Sequence, residues 1–326
     1  MSRQVDDECR AATFNLAQSY ATSPVHRRCD LLALGITDAL IVAMLRRGDI
    51  VRLRHGVFAV RELFEAALPP ERHRIDLAAA IAAGRSPVWA FGTSGALMHD
   101  LPLPFSAPDH IEVVRQAGLD ERALRQPSRH RLELPSLRVV TGPVDPASTT
   151  VIRGIPCVDP ALAAVSAAAA MTSARWRVAL LDGAMWRGAT PEAIQSVIDL
   201  WRHVGHRAQL LSALDRARPG AQTVLETFSR LAFIEGGLPE PILQQAFYDD
   251  DGLIGYADMW WPSLNVIGEA DGLIKYATRA DVIKEKLRED RLRARGPGVV
   301  RWTLEDLEER PQSVIAAIWR ASRPQR

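Results

Sequence analysis

Apolar residues recur at helical spacing at Leu40, Ile41, Met44 and Leu45, with Thr37 placed to cap that helix and Gly48 to stop it. Two shorter helical stretches precede it, residues 11–20 and 30–34, the second ended by Gly35. After it, VRLRHGVFAV (residues 51–60) switches to alternation around His55 and Gly56, the pattern of a tight hairpin. Helix, glycine turn, helix and hairpin give the outline of a winged helix-turn-helix over residues 1–66.

Leu68, Pro69 and Pro70 read as a linker into a middle segment, residues 67–218. There the pattern predicts a helix over 75–83, a helix over 94–99 capped by Thr93, and strands at 110–115, 137–140 and 155–158. Pro160 opens an alanine-rich helix, and residues 175–187, 191–203 and 206–217 follow as amphipathic helices. This α+β, mostly helical segment spells no chemistry. His203 and His206 have no acidic or cysteine partner arranged with them, and Thr93, Ser94 and Gly95 lack the flanks of a nucleophile elbow.

Pro219 and Gly220 mark a second boundary, and residues 219–326 read as helix, three strands, helix, strand, helix. The helix over 222–235 carries Leu225, Phe228 and Ala232 on one stripe, with Glu226 beside it. A strand over 242–248 leads into a hairpin whose arms, 254–261 and 265–271, flank Pro262 and Ser263. With the loop centred on Ser263 and Leu264, facing residue numbers sum to 527. Asp258 then faces Glu269 and Tyr256 faces Asp271, so Asp258, Glu269 and Asp271 share one side of the sheet with Trp260 and Ile267.

Acids this close raise one another's pKa unless a cation sits among them, and a hard divalent ion, Mg2+ or Mn2+, suits such oxygens. Lys275 is positioned to orient or deprotonate a water beside them. The helix expected over 280–295 places Lys284, Arg288, Arg291 and Arg295 on one face, with Lys286 nearby, where a phosphate backbone can lie.

Composition changes this picture little. With 326 residues, 47% apolar and 24% charged, the chain has globular values and length for more than one domain. A net charge of +1 supplies no overall attraction for nucleic acid, so any such footprint must be local. Between residues 20 and 61 there are seven arginines (Arg27, Arg28, Arg46, Arg47, Arg52, Arg54, Arg61) against three aspartates (Asp30, Asp38, Asp49), which makes Arg46, Arg47, Arg52 and Arg54 candidate DNA contacts. Cys9, Cys29 and Cys157 form neither a disulfide framework nor a zinc pattern. No apolar run reaches membrane-spanning length, so a cytoplasmic protein without a membrane partner is expected.

The pattern L-x-x-L-G-I-T-x-x-x-I followed by R-R-G-D-I-x-R-L-R-H-G-V-F, residues 28–60, resembles the winged-helix N-terminal domain of AbiEi-type antitoxins. That resemblance implies DNA binding and a possible cognate toxin or other partner protein. LETFSRL, GLPEP, YADMWWP, GEADGLIKY, EKLREDRLR and VVRWTLEDL, in that order, resemble the PD-(D/E)XK nuclease superfamily, in particular its branch similar to very-short-patch-repair endonucleases. It implies a restriction-endonuclease-like α/β domain in which Glu226 matches the first-helix acid, Asp258 the metal-binding aspartate and Glu269 the second metal ligand. Asp271 stands where that pattern has lysine, and Lys275 is the candidate replacement. The expectation is a multi-domain α/β DNA-binding protein with a Mg2+-dependent phosphodiesterase centre. The alternative is a non-catalytic antitoxin-type regulator whose nuclease fold only binds.

Overall fold

The computed structural model describes residues 3–84, 86–116, 135–201, 206–271, 287–292, 294 and 296–322. The described residues form a mixed α/β protein with three sheets. Its N-terminal part runs α1 (Arg3–Gln18), β1 (His26–Arg27), α2 (Arg28–Ala33), α3 (Asp38–Arg47), β2 (Ile50–Arg54), β3 (Val57–Val60) and α4 (Arg61–Ala66). Thr37 accepts the Leu40 N–H at 3.3 Å to start α3, and Gly48 closes it in the left-handed region at φ 85°. The strands form an antiparallel sheet in the order β1-β3-β2.

Pro69 and Pro70 do not form a linker. They occupy the first turn of α5 (Pro69–Ala83), where a missing N–H costs nothing. This helix joins the first two parts, because Val51, Leu53, Val57 and Ala59 of the hairpin share one buried core with Ile75, Leu77 and Ala79 of α5. The boundary expected at residue 66 therefore cuts a continuous core. The hairpin is correspondingly not a free wing: every residue of β3 is buried.

The middle part comprises β4 (Trp89–Ala90), α6 (Gly92–Met98), β5 (His110–Gln116), β6 (Ser136–Gly142), β7 (Thr150–Ile152), β8 (Ile155–Cys157), α7 (Pro160–Ala170), α8 (Ala174–Trp186), α9 (Pro191–Leu200) and α10 (Arg207–Arg216). Its mixed sheet has the order β6-β5-β4-β8-β7. Phe91, not Thr93, precedes the first turn of α6; Thr93 instead gives its N–H and hydroxyl to Glu112, at 2.7 and 2.8 Å. Ser94 bonds His73 at 2.8 Å and has no exposed surface, so no substrate reaches it.

The last part is α11 (Val224–Glu235), β9 (Ile242–Asp249), β10 (Gly252–Trp261), β11 (Val266–Ala270), a helical stretch at 287–292 (α12), β12 (Gly298–Trp302), α13 (Leu304–Glu309) and α14 (Pro311–Ala321). Its sheet has the order β12-β11-β10-β9, with β12 parallel to β11 and the other pairs antiparallel. One face packs Met259, Trp261, Val266 and Trp302 against α11 and α14. Gly268 is required in the middle of that face: a Cβ there would lie 2.7 Å from Trp302 and 2.8 Å from Trp261. No described helix is long and apolar enough to cross a membrane.

Candidate functional site

The opposite face of the C-terminal sheet carries the acids. Met259 pairs Gly268, Trp260 pairs Ile267 and Trp261 pairs Val266, the register in which Asp258 comes next opposite Glu269. Trp260 and Ile267 flank them in a small apolar cluster with Leu292 of α12, and Trp260 meets Phe247 edge-on at 5.2 Å.

Asp258 takes the Ala270 N–H on Oδ2 at 2.8 Å and the Gln244 amide on Oδ1 at 3.3 Å. The same Gln244 amide donates to Glu226 Oε2 at 3.2 Å, so one side chain ties the first-helix acid to the hairpin acid. Glu226 is 4% exposed and sits at the start of α11, where it also accepts from the Gln222 N–H at 2.9 Å and the Thr223 hydroxyl at 2.9 Å. Its i,i+4 neighbour Arg230 is not its partner; that guanidinium turns to Asp182 at 2.9 Å.

Burial sets the electrostatics. It pushes the Glu269 carboxyl up to about 7, with the nearby Asp258 adding to the rise and Arg288 opposing it. Burial raises Asp258 and Glu226 as well, and for Glu226 the Asp258 charge adds to it. Arg288 Nη2 reaches Glu269 Oε1 at 3.1 Å and the Tyr256 carbonyl at 2.6 Å.

Gln244 is the residue that sequence reasoning passed over. It lies between the pairs Leu243–Met259 and Gln245–Ala257, hence across from Asp258, and its φ is +51°. A non-glycine residue held there inside a strand stores on the order of 1–3 kcal/mol and persists because its surroundings over-determine it. Nothing in the local string ILQQAFYD distinguishes it from Gln245 before the strand pairing is known.

The other predicted site residues are placed as follows. Asp271 has its carboxylate 3.7 Å from Arg301 with 44% of its side chain exposed, its N–H continues the sheet to the Trp302 carbonyl, and its charge adds to the rise at Asp258. Among the described residues no three His, Cys, Asp or Glu side chains come close enough to hold a metal together. Arg291 pairs with Asp249 at 2.6 Å and Arg288 with Glu269, so both arginines of the expected basic face hold carboxylates in this structure. Lys275, Lys284 and Lys286 lie outside the described residues.

In the N-terminal part Arg46, Arg52 and Val42 are exposed, whereas Arg47 bridges Asp6 and Asp49. Arg54 is turned inward, with 5% exposure, because the bulge between Arg52 and Arg54 breaks the alternation and α5 covers that side of the hairpin. It cannot contact DNA in this arrangement.

No family model matches this sequence. Over 100 residues it is 28% identical to the uncharacterized proteins MT2308 and Rv2248 of Mycobacterium tuberculosis, a match covering 31% of this chain and 37% of theirs. The chain thus matches little more than a third of the length of those relatives. The crystal structure of the Rv2827c protein from Mycobacterium tuberculosis superposes with a TM-score of 0.36 at 17% identity, over 73% of this chain and 88% of that one. These likenesses assign neither a family nor an activity.

Proposed function

We propose that this chain is a DNA-binding protein whose C-terminal unit, a restriction-endonuclease-like domain of the PD-(D/E)XK kind, hydrolyses phosphodiester bonds. The observation that carries this reading is that Gln244 ties Glu226 of α11 to Asp258, while Asp258 lies near enough to Glu269 for its charge to raise that carboxyl. Two acids pushed up by burial are a poor way to build a stable sheet and a good way to prepare a site for a hard cation. Asp258 and Glu269 would hold Mg2+ or Mn2+, which needs only one or two carboxylates when water and a phosphate complete its shell. Such an ion polarises a phosphoryl oxygen and makes a bound water a better nucleophile.

The chain's own groups do the rest. Gln244 holds the Asp258 and Glu226 side chains in place, and Trp260 with Phe247 limits access of bulk water. Arg288, beside Glu269, is placed to meet an incoming phosphate oxygen. Lys275 keeps the water-orienting role that the resemblance gives it. At the other end, α3 with the hairpin behind it reads as a winged helix-turn-helix, with Val42 and Arg46 toward the major groove and Arg52 toward the backbone. Incubating purified protein with plasmid DNA and Mg2+ or Mn2+ tests the proposal; absence of metal-dependent nicking or cutting on duplex and single-stranded substrates removes it.

Two observations favour a second reading, a non-catalytic regulator of antitoxin type that acts with DNA and a partner protein. Arg288 already neutralises Glu269, and Asp271 occupies the position of the expected lysine. Under that reading Asp258→Asn leaves operator affinity unchanged and there is no cleavage to lose.

A further inference from the structure

Arg177, on the first turns of α8, is a largely buried arginine with no carboxylate paired to it among the described residues. The residue is 8% exposed, its Nε is shut off from solvent with no hydrogen-bond partner, and among the described residues no carboxylate lies within ion-pairing distance. Arg230, buried in the same half of the molecule, contrasts with it by reaching both Asp182 and the Arg216 carbonyl. Burying a cation unpaired is costly enough that such a group marks a place where an anion belongs.

The surroundings point the same way. Arg177 lines a hollow of about 260 Å³ between α8 and α10, with Arg216, Ser212 and Gln209 across from it. Ala174 and Ala208, in the first turns of α8 and α10, also line it, and neither helix has a side chain capping its start. The uncapped start of α8 adds partial positive charge beside Arg177. Two guanidiniums, a hydroxyl and an amide offer more donors than one carboxylate can use. They suit the three terminal oxygens and the charge of roughly −1.5 to −2 on a phosphate monoester, and the alanine-lined remainder suits a short carbon body.

We propose that this hollow is a binding site for a small phosphate monoester, gripped by Arg177 and Arg216. The site is separate from the carboxylate sheet and does not depend on its activity. It is nevertheless linked to it, because Arg216 also donates to Glu235 at 2.6 Å and Arg175 to the same residue at 3.2 Å, and Glu235 ends the helix that carries Glu226. An anion that draws Arg216 away loosens that tie.

Calorimetric titration of the full chain with glycerol 3-phosphate, inorganic phosphate and butyrate tests the proposal. Glycerol 3-phosphate is expected to bind with Kd below about 1 mM and butyrate at least about tenfold more weakly. Arg177→Met should weaken glycerol 3-phosphate at least about tenfold, as should Ser212→Tyr, which fills the hollow while keeping both arginines. Asp258→Asn should bind it like the wild type. The proposal is overturned if the wild type binds no phosphate monoester, if butyrate binds as well, or if folded Ser212→Tyr retains full affinity.

Discussion

Asp182 and Glu269 are both carboxylates withdrawn from water in the same half of the molecule, yet they are treated differently. Asp182, 1% exposed, is saturated: it accepts from the Arg218 N–H at 2.7 Å, the Thr227 hydroxyl at 2.8 Å and the Arg230 guanidinium at 2.9 Å. Those three bonds pin α11 to α8 and to the segment between α10 and α11. Glu269 has Arg288 near it and Asp258 against it, and its carboxyl is left at about 7. The first arrangement consumes a charge to fix two helices together. The second keeps a charge available.

The largest way to break that contrast is Asp182→Ala. It removes the buried partner of Arg230, 1% exposed, leaving only the Arg216 carbonyl and the more distant Glu240 carboxylate, and should cost about 3 kcal/mol in urea unfolding. A loss below about 1 kcal/mol would mean that the pair does not hold α11 in place.

A smaller effect comes from Glu269→Gln read against pH. The Glu269 carboxyl is raised from its ordinary 4.5 to about 7, so between those values the native state holds a proton that the unfolded chain has released. Stability therefore falls as pH rises through that window and stays lower above it. Asp76, raised to about 6 by burial, contributes with the same sign in both proteins. In thermal melts the wild type should lose more stability from pH 5 to pH 8 than Glu269→Gln does, and saturating Mg2+ should narrow the gap. Parallel pH profiles would contradict the assignment.

The smallest effects lie in the N-terminal part. Arg46→Ala and Arg52→Ala should each weaken DNA binding a few-fold and reduce the salt slope by roughly one counterion. Arg54→Ala should leave that slope unchanged and act on stability, since its guanidinium faces the core near Asp76.

How far these features were legible in the sequence follows from their range. The hairpin register from Trp261–Val266 to Met259–Gly268 came out of a two-residue period and a loop centre, both local. Thr37 and Gly48 announced the ends of α3 for the same reason. The inward turn of Arg54 depends on a bulge and on a helix that begins fifteen residues later. Pro69 and Pro70 suit a linker and a helix start equally well until the buried face of α5 is known. Gln244 is the sharpest case, because its role exists only once β9 lies beside β10 and α11 closes over both.

The pairing of Asp258 with Glu269 as a hydrolytic centre is tested most directly by single-turnover cleavage of a labelled duplex in Mg2+ and in Mn2+, wild type beside Asp258→Asn. The account predicts cleavage by the wild type that needs the metal, and a loss of at least about a hundredfold in the variant, which keeps its melting temperature. An inert wild type, or a variant that cuts at the wild-type rate, would contradict it.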